Sequence, residues 1–224
     1  MPEPDDTTAD SDASGNGDTN ATTNTESTLV MTPGRLEAFS DAVIAIAITI
    51  MVLELRVPHR ATIHALRPLV PVFLSYVLSF VYLGIYWNNH HHLIKRTNEV
   101  TGGILWANLH LLFWLSLFPF VTSWMGDAGY TSDPVALYGA VALLAGGAYW
   151  LLVVELRRVP GQAGPVMEAS GTDSKGLASL GLYAAGIAIS LAGFPLLAFV
   201  LYIVVAIMWF IPDRRVERTL HHGS

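Results

Sequence analysis

The stretch Arg35-Leu-Glu-Ala-Phe39-Ser40-Asp41-Ala-Val-Ile-Ala-Ile46-Ala-Ile-Thr49-Ile-Met-Val-Leu53-Glu54 is apolar almost throughout, with a single carboxylate, Asp41, in its interior. A bilayer hydrocarbon core of about 30 Å is crossed by roughly 17–25 helical residues, so this run is long enough to span it. Asp41 lies six residues beyond Arg35, roughly 9 Å along the axis at a 1.5 Å rise per residue. A carboxylate at that depth is costly unless paired or hydrated, which makes it a functional-site candidate or a polar tie between helices. The two roles are compatible.

Working outward, five further apolar runs follow: Pro68–Asn89, Gly103–Trp124, Pro134–Leu156, Gly176–Ala192 and Pro195–Ile211. The fold class expected is an all-α membrane protein with six transmembrane helices. Open strand edges cannot sit in lipid, and no alternating ten-residue segments suggest a barrel. The last two runs are short and joined by Gly193–Phe194, which predicts a tight hairpin. Asp133 is placed to cap the fourth helix with Pro134 in its first turn, while Pro195 opens the sixth and Pro212 closes it.

Composition agrees. The 224 residues are 52% hydrophobic and 13% charged, with a mean hydropathy of +0.46. The formal charge of −6 is concentrated at the start. Residues 1–33 hold seven acids and no base, which leaves 12 basic and 11 acidic side chains for all the rest. Three domains are expected: a disordered acidic tail over 1–33, a six-helix membrane domain over 34–212 and a short basic tail over 213–224. Nine Lys and Arg residues lie on the side of the N-terminus and three (Arg56, Arg60, Arg67) on the other. That bias predicts cytoplasmic termini and a location in the cell membrane. Trp87, Trp106, Trp150 and Trp209 then fall near the cytoplasmic interface and Trp124 near the outer one.

The first span has two distinct faces. At 100° per residue, Arg35, Phe39, Ala42, Ile46, Thr49 and Leu53 form one stripe, whereas Asp41 points some 140° from Ile46 and Glu37 lies almost opposite it. The stripe either lines something or packs on lipid and neighbouring helices. Other polar groups cluster by depth. Tyr86-Trp87-Asn88-Asn89-His90-His91-His92 ends the second span, and Asn108 and His110 lie near the start of the third. Arg35, Ser40, Asp41, Trp87, Asn89, His90, His91 and Asn108 are therefore expected in one layer, satisfying one another as polar ties between helices.

Several chemistries are excluded. Zero cysteines rule out disulfides and thiolate sites. Three consecutive histidines splay by 100° each on a helix, so they do not ligate one ion from one segment, and no metal or cofactor is expected. His221 and His222 belong to the tail, and His59 and His64 to the first outer loop. No phosphate loop, no GxSxG and no nucleic-acid face appears, so neither an enzyme nor a nucleic-acid partner is expected. The filter sequence TVGYG is missing, so any ion selectivity must come from side chains on helices.

The run Arg35-x-x-x-Phe39-Ser40-Asp41 in a first span resembles the hallmark of the lysosomal and prokaryotic potassium channels of the transmembrane protein 175 family. The resemblance continues in Trp87-x-Asn89-His90-His91, in Asn108-Leu109 and in Pro119, covering about residues 34–125. It implies six-helix subunits that assemble as homotetramers in the lipid bilayer. It also implies a pore lined by the first helix and permeable to monovalent cations, K⁺ above all, with weak selectivity. The family's constriction, five residues beyond the motif aspartate, falls on Ile46, and the next pore-facing positions on Thr49 and Leu53. Phe39, Arg35, Ser40 and Asp41, with Trp87, Asn89, His90 and Asn108, would form the network that holds the pore helix. The third histidine, the acidic tail and Glu54 depart from the pattern. An alternative function is a proton- or cation-coupled secondary transporter that uses Asp41.

Overall fold

The computed structural model describes residues 31–59, 61–161, 163–164 and 173–210. The acidic segment expected over residues 1–33 lies outside them except at its last three positions. The basic tail 213–224, with Pro212, His221 and His222, lies wholly outside.

Seven helices and one 3₁₀ segment make up the described residues, with no strand among them. They are α1 (Pro33–Leu53), the 3₁₀ segment Ile63–Leu69, α2 (Val70–Lys95), α3 (Gly102–Ser116), α4 (Phe118–Asp127), α5 (Ser132–Arg157), α6 (Asp173–Leu191) and α7 (Pro195–Phe210). Five spans are long and apolar enough to cross a bilayer, with α3 and α4 counted together, and α7 is a shorter apolar helix. The six expected runs are thus present as helices.

Local chemistry sets the ends. Thr32 caps α1, its hydroxyl accepting from the Arg35 backbone N–H at 3.4 Å, and Pro33 follows where a missing N–H costs nothing. Thr101 does the same for α3, accepting from the Ile104 N–H at 3.4 Å. α5 starts at Ser132, so Asp133 stands inside its first turn rather than at the cap. There it still complements the positive end of the helix dipole. The α6–α7 hairpin turns on Gly193 at φ +95°, a conformation that favours glycine, and Pro195 opens α7.

The third run differs from expectation in one respect. It is two helices, broken at Leu117, where the Leu117 N–H bonds back to the Trp114 carbonyl at 3.2 Å. Pro119 supplies the cause, since it has no N–H to donate to residue 115 and its ring crowds that carbonyl.

The core sits between α2, α4, α5 and α7 and is built on aromatic rings. Tyr82, Phe118, Tyr138 and Tyr202 are fully buried. Each phenol is satisfied: Tyr82 Oη–H donates to the Tyr202 carbonyl at 2.6 Å, Tyr138 shares a 3.0 Å bond with Ser79, and Tyr202 Oη–H donates to the Val135 carbonyl at 3.3 Å. Ser79 also meets Thr122 at 2.6 Å, tying α2 to α4. Bulky rings fit here only because glycines face them. A Cβ at Gly139 or Gly186 would run into the Tyr202 ring, and one at Gly126 would stand 2.6 Å from Val72 Cα.

Candidate pore face and its polar anchor

α1 packs on α2, α3 and α4 with one face only. Leu36, Ser40, Ile44, Ala47 and Met51, spaced three and four apart, are buried. The opposite stripe is bare of its own subunit. Ile46 is 56% exposed and Leu53 77%, and Arg35, Phe39, Ala42 and Thr49 are exposed with them. The stripe drawn from helical angles is therefore the one the bundle leaves uncovered.

Thr49 is the single hydroxyl on that stripe between Phe39 and Leu53. Its Oγ1–H donates to the Ile46 carbonyl at 2.9 Å. The proton is thereby held against the helix, and the oxygen lone pairs remain available as acceptors on the exposed side.

Behind the stripe runs a buried relay of hydrogen bonds across three helices. Ser40 Oγ–H donates to the Leu36 carbonyl at 2.9 Å, and Ser40 Oγ accepts from Asn108 Nδ2–H at 2.9 Å. Asn108 Oδ1 accepts from His90 Nε2–H at 2.8 Å. With the amide nitrogen committed to Ser40, its oxygen faces His90, which sets the His90 proton on Nε2. All three residues are fully buried. In an apolar surround such a chain fixes the position of α1 against α2 and α3, because any of its members left unpaired costs about 1–3 kcal/mol.

A second polar group lies beside the first. His91 Nδ1 stands 2.6 Å from Glu37 Oε1, a contact close enough for an ion pair but off the axis of a well-directed hydrogen bond. Trp87 stacks on the His91 ring at 5.6 Å. Asp41 is half-buried next to them, with Oδ1 buried and without a hydrogen-bond partner among the described residues. Ligand atoms of Glu37, Asp41 and His91 lie within 4.8 Å of one another, a spacing that a small cation could bridge.

The structure thus brings Ser40, His90 and Asn108 together and sets Asp41 and His91 next to them. Arg35 and Phe39 lie instead on the exposed stripe, and the Arg35 guanidinium joins none of these bonds. Trp87 takes part through its stack only. Asn89 faces the other way, toward α5 and α6. Glu37 is the residue that sequence reasoning left out of the layer, although its i, i+4 relation to Asp41 puts both carboxylates on one helix face.

This architecture defines an all-helical, multi-span membrane protein whose first helix is anchored on one face by buried hydrogen bonds and leaves the other face uncovered. Comparison with known proteins narrows it. The sequence profile of the family described as "Endosomal/lysosomal potassium channel TMEM175" matches residues 35–119. A potassium channel of Chryseobacterium sp. (strain P1-3) is 49% identical over 190 residues, 85% of this chain and 98% of that one. A potassium channel of Streptomyces collinus is 35% identical over 114 residues, 49% of this chain and 54% of that one. Among solved structures, that of a lysosomal potassium-selective channel TMEM175 homolog from Chamaesiphon minutus matches with a TM-score of 0.69 at 25% identity, over 79% of this chain and 95% of that one. The chain belongs to the TMEM175 family. Its family is one of ion channels and not of enzymes.

Proposed function

We propose that this chain is the subunit of a potassium-conducting channel of the cell membrane, a homotetramer whose pore is walled by α1 of each copy. One observation carries the reading: the α1 stripe through Ile46, Thr49 and Leu53 is uncovered by its own bundle, while the opposite face is held by the Ser40–Asn108–His90 relay. The potassium channels among its relatives support it.

In this arrangement Ile46 side chains converge as the constriction. An apolar ring closes a pore by dewetting, and a modest dilation re-wets it. Thr49 follows one turn beyond. Its lone pairs replace part of the hydration shell of a large, weakly hydrated cation more readily than that of a small one, which biases conduction toward K⁺ without a backbone filter. No cofactor takes part. Both termini lie in the cytoplasm on the nine-to-three bias of Lys and Arg.

The reading that makes Asp41 a coupling site for a transporter is less well supported, because Asp41 sits on the α2-facing side of α1, beside Glu37 and His91, and not on the uncovered stripe. Flux into liposomes tests the proposal. Ile46→Asn, which wets the constriction, raises resting K⁺ leak at least tenfold over the unsubstituted protein. Leak that stays unchanged in a correctly assembled variant removes Ile46 as the constriction.

A further inference from the structure

A cavity of about 260 Å³ opens on the far side of α2 from the pore face, between α2, α5, α6 and α7. Its walls come from the same end of all four helices, and no charged side chain lines it. Aromatic rings predominate: Tyr86 and Tyr149 meet edge to face at 6.2 Å, with Trp150 and Trp209 beside them. Trp209 is satisfied, its Nε1–H donating to Ser179 Oγ at 2.8 Å. The hydroxyls of Tyr86 and Tyr149 and the side-chain amide of Asn89 have no hydrogen-bond partner among the described residues.

Three features select the occupant. Water needs two to four polar partners, which this cavity offers only around Tyr86, Tyr149 and Asn89, so the remaining apolar wall is left to hydrocarbon. An anion would find no counter-charge in the lining, and a cation only the faces of aromatic rings, with no carboxylate to offset the loss of its hydration. Two wall residues, Trp150 and Leu177, are 55% and 67% exposed, so the cavity communicates with the outer surface of membrane-spanning helices, where hydrocarbon chains are the abundant material. The volume is just below the roughly 300 Å³ at which drug-sized sites begin, room for one short chain and not for a two-tailed lipid.

We propose that this cavity binds one neutral single-chain amphiphile with a hydroxyl or ester head. The chain lies against the aromatic walls, and the head is hydrogen-bonded by Tyr86, Tyr149 and Asn89. The site adjoins the pore anchor directly, since Asn89 precedes His90 on α2.

The test uses the full-length protein in detergent with a diazirine-bearing analogue of monodecanoylglycerol, and cross-linked residues are located by peptide mass spectrometry. Labelling of α2, α5 and α6 wall residues is expected to saturate. Unlabelled monodecanoylglycerol should displace the probe at least tenfold better than decanoate does. Gly146→Leu fills the cavity from α5 and should cut wall labelling at least tenfold, while labelling of the exposed outer faces stays constant. Leu177→Trp narrows the entrance without disturbing buried packing and should reduce it severalfold, so the inference survives a failure of Gly146→Leu to fold. Labelling that does not saturate, that decanoate displaces equally well, or that persists in both folded variants overturns the proposal.

Discussion

At the scale of the residue, the account rests on a few polar atoms whose partners are fixed. Thr49 exposes lone pairs because its proton is bonded to the Ile46 carbonyl. Thr49→Val keeps the shape and removes the oxygen, so the K⁺ over Na⁺ permeability ratio, read from reversal potentials in opposed gradients, is expected to fall toward unity while conduction persists. The relay behind it is equally specific. Asn108→Ala leaves Ser40 and the His90 Nε2–H without their partner. It should cost about 1–3 kcal/mol, visible as a lower midpoint of thermal unfolding in detergent. Ser40, His90 and Asn108 were legible in the sequence because their depths coincide once spans and their directions are assigned. Asn89 was misread for a plain geometric reason. Successive residues on a helix diverge by 100°, so a His90 that faces α3 turns Asn89 toward the opposite neighbours. Arg35 was read both onto the stripe, by its angle, and into the polar layer, by its depth; the structure places it on the stripe.

At the scale of the element, hydropathy and helix-end chemistry located every span. Pro195 and Gly193 marked the last hairpin, and in the structure Thr32 with Pro33 starts α1. The break at Leu117 was not anticipated, because an apolar run says nothing of its internal continuity, although Pro119 carried the signal. Nor did the sequence reveal which glycines admit which rings, since that depends on how helices distant in the chain approach one another. Gly139 is the sharpest case, with the Tyr202 ring occupying the space a Cβ would need. Gly139→Ala is expected to separate α5 from α7 and to destabilise the fold by about 1–3 kcal/mol, measured as a drop in the unfolding temperature against Gly147→Ala, where a Cβ meets nothing.

At the scale of the whole molecule, the decisive property is an imbalance. α1 is the most apolar of the five bilayer-length spans, yet only 28% of it is buried, against 50% for the span made by α3 and α4; α6, at 22%, is the one of the five buried less, and it is the least apolar of them. A subunit that anchors one face of such a helix with buried hydrogen bonds and leaves the other uncovered is built to present that face to something outside itself. Four copies around an axis would turn it into the wall of a conduit. The chain contains no cysteine, so a single introduced thiol reports on one position without interference. The direct measurement is therefore K⁺ current through Ile46→Cys channels in planar bilayers before and after a positively charged, membrane-impermeant methanethiosulfonate reagent. The account predicts that modification blocks the current, and that intracellular K⁺ slows the reaction by competing for the same path. A current that the reagent leaves unchanged in conducting channels would contradict it, because residue 46 would then lie off the path of the permeating ion.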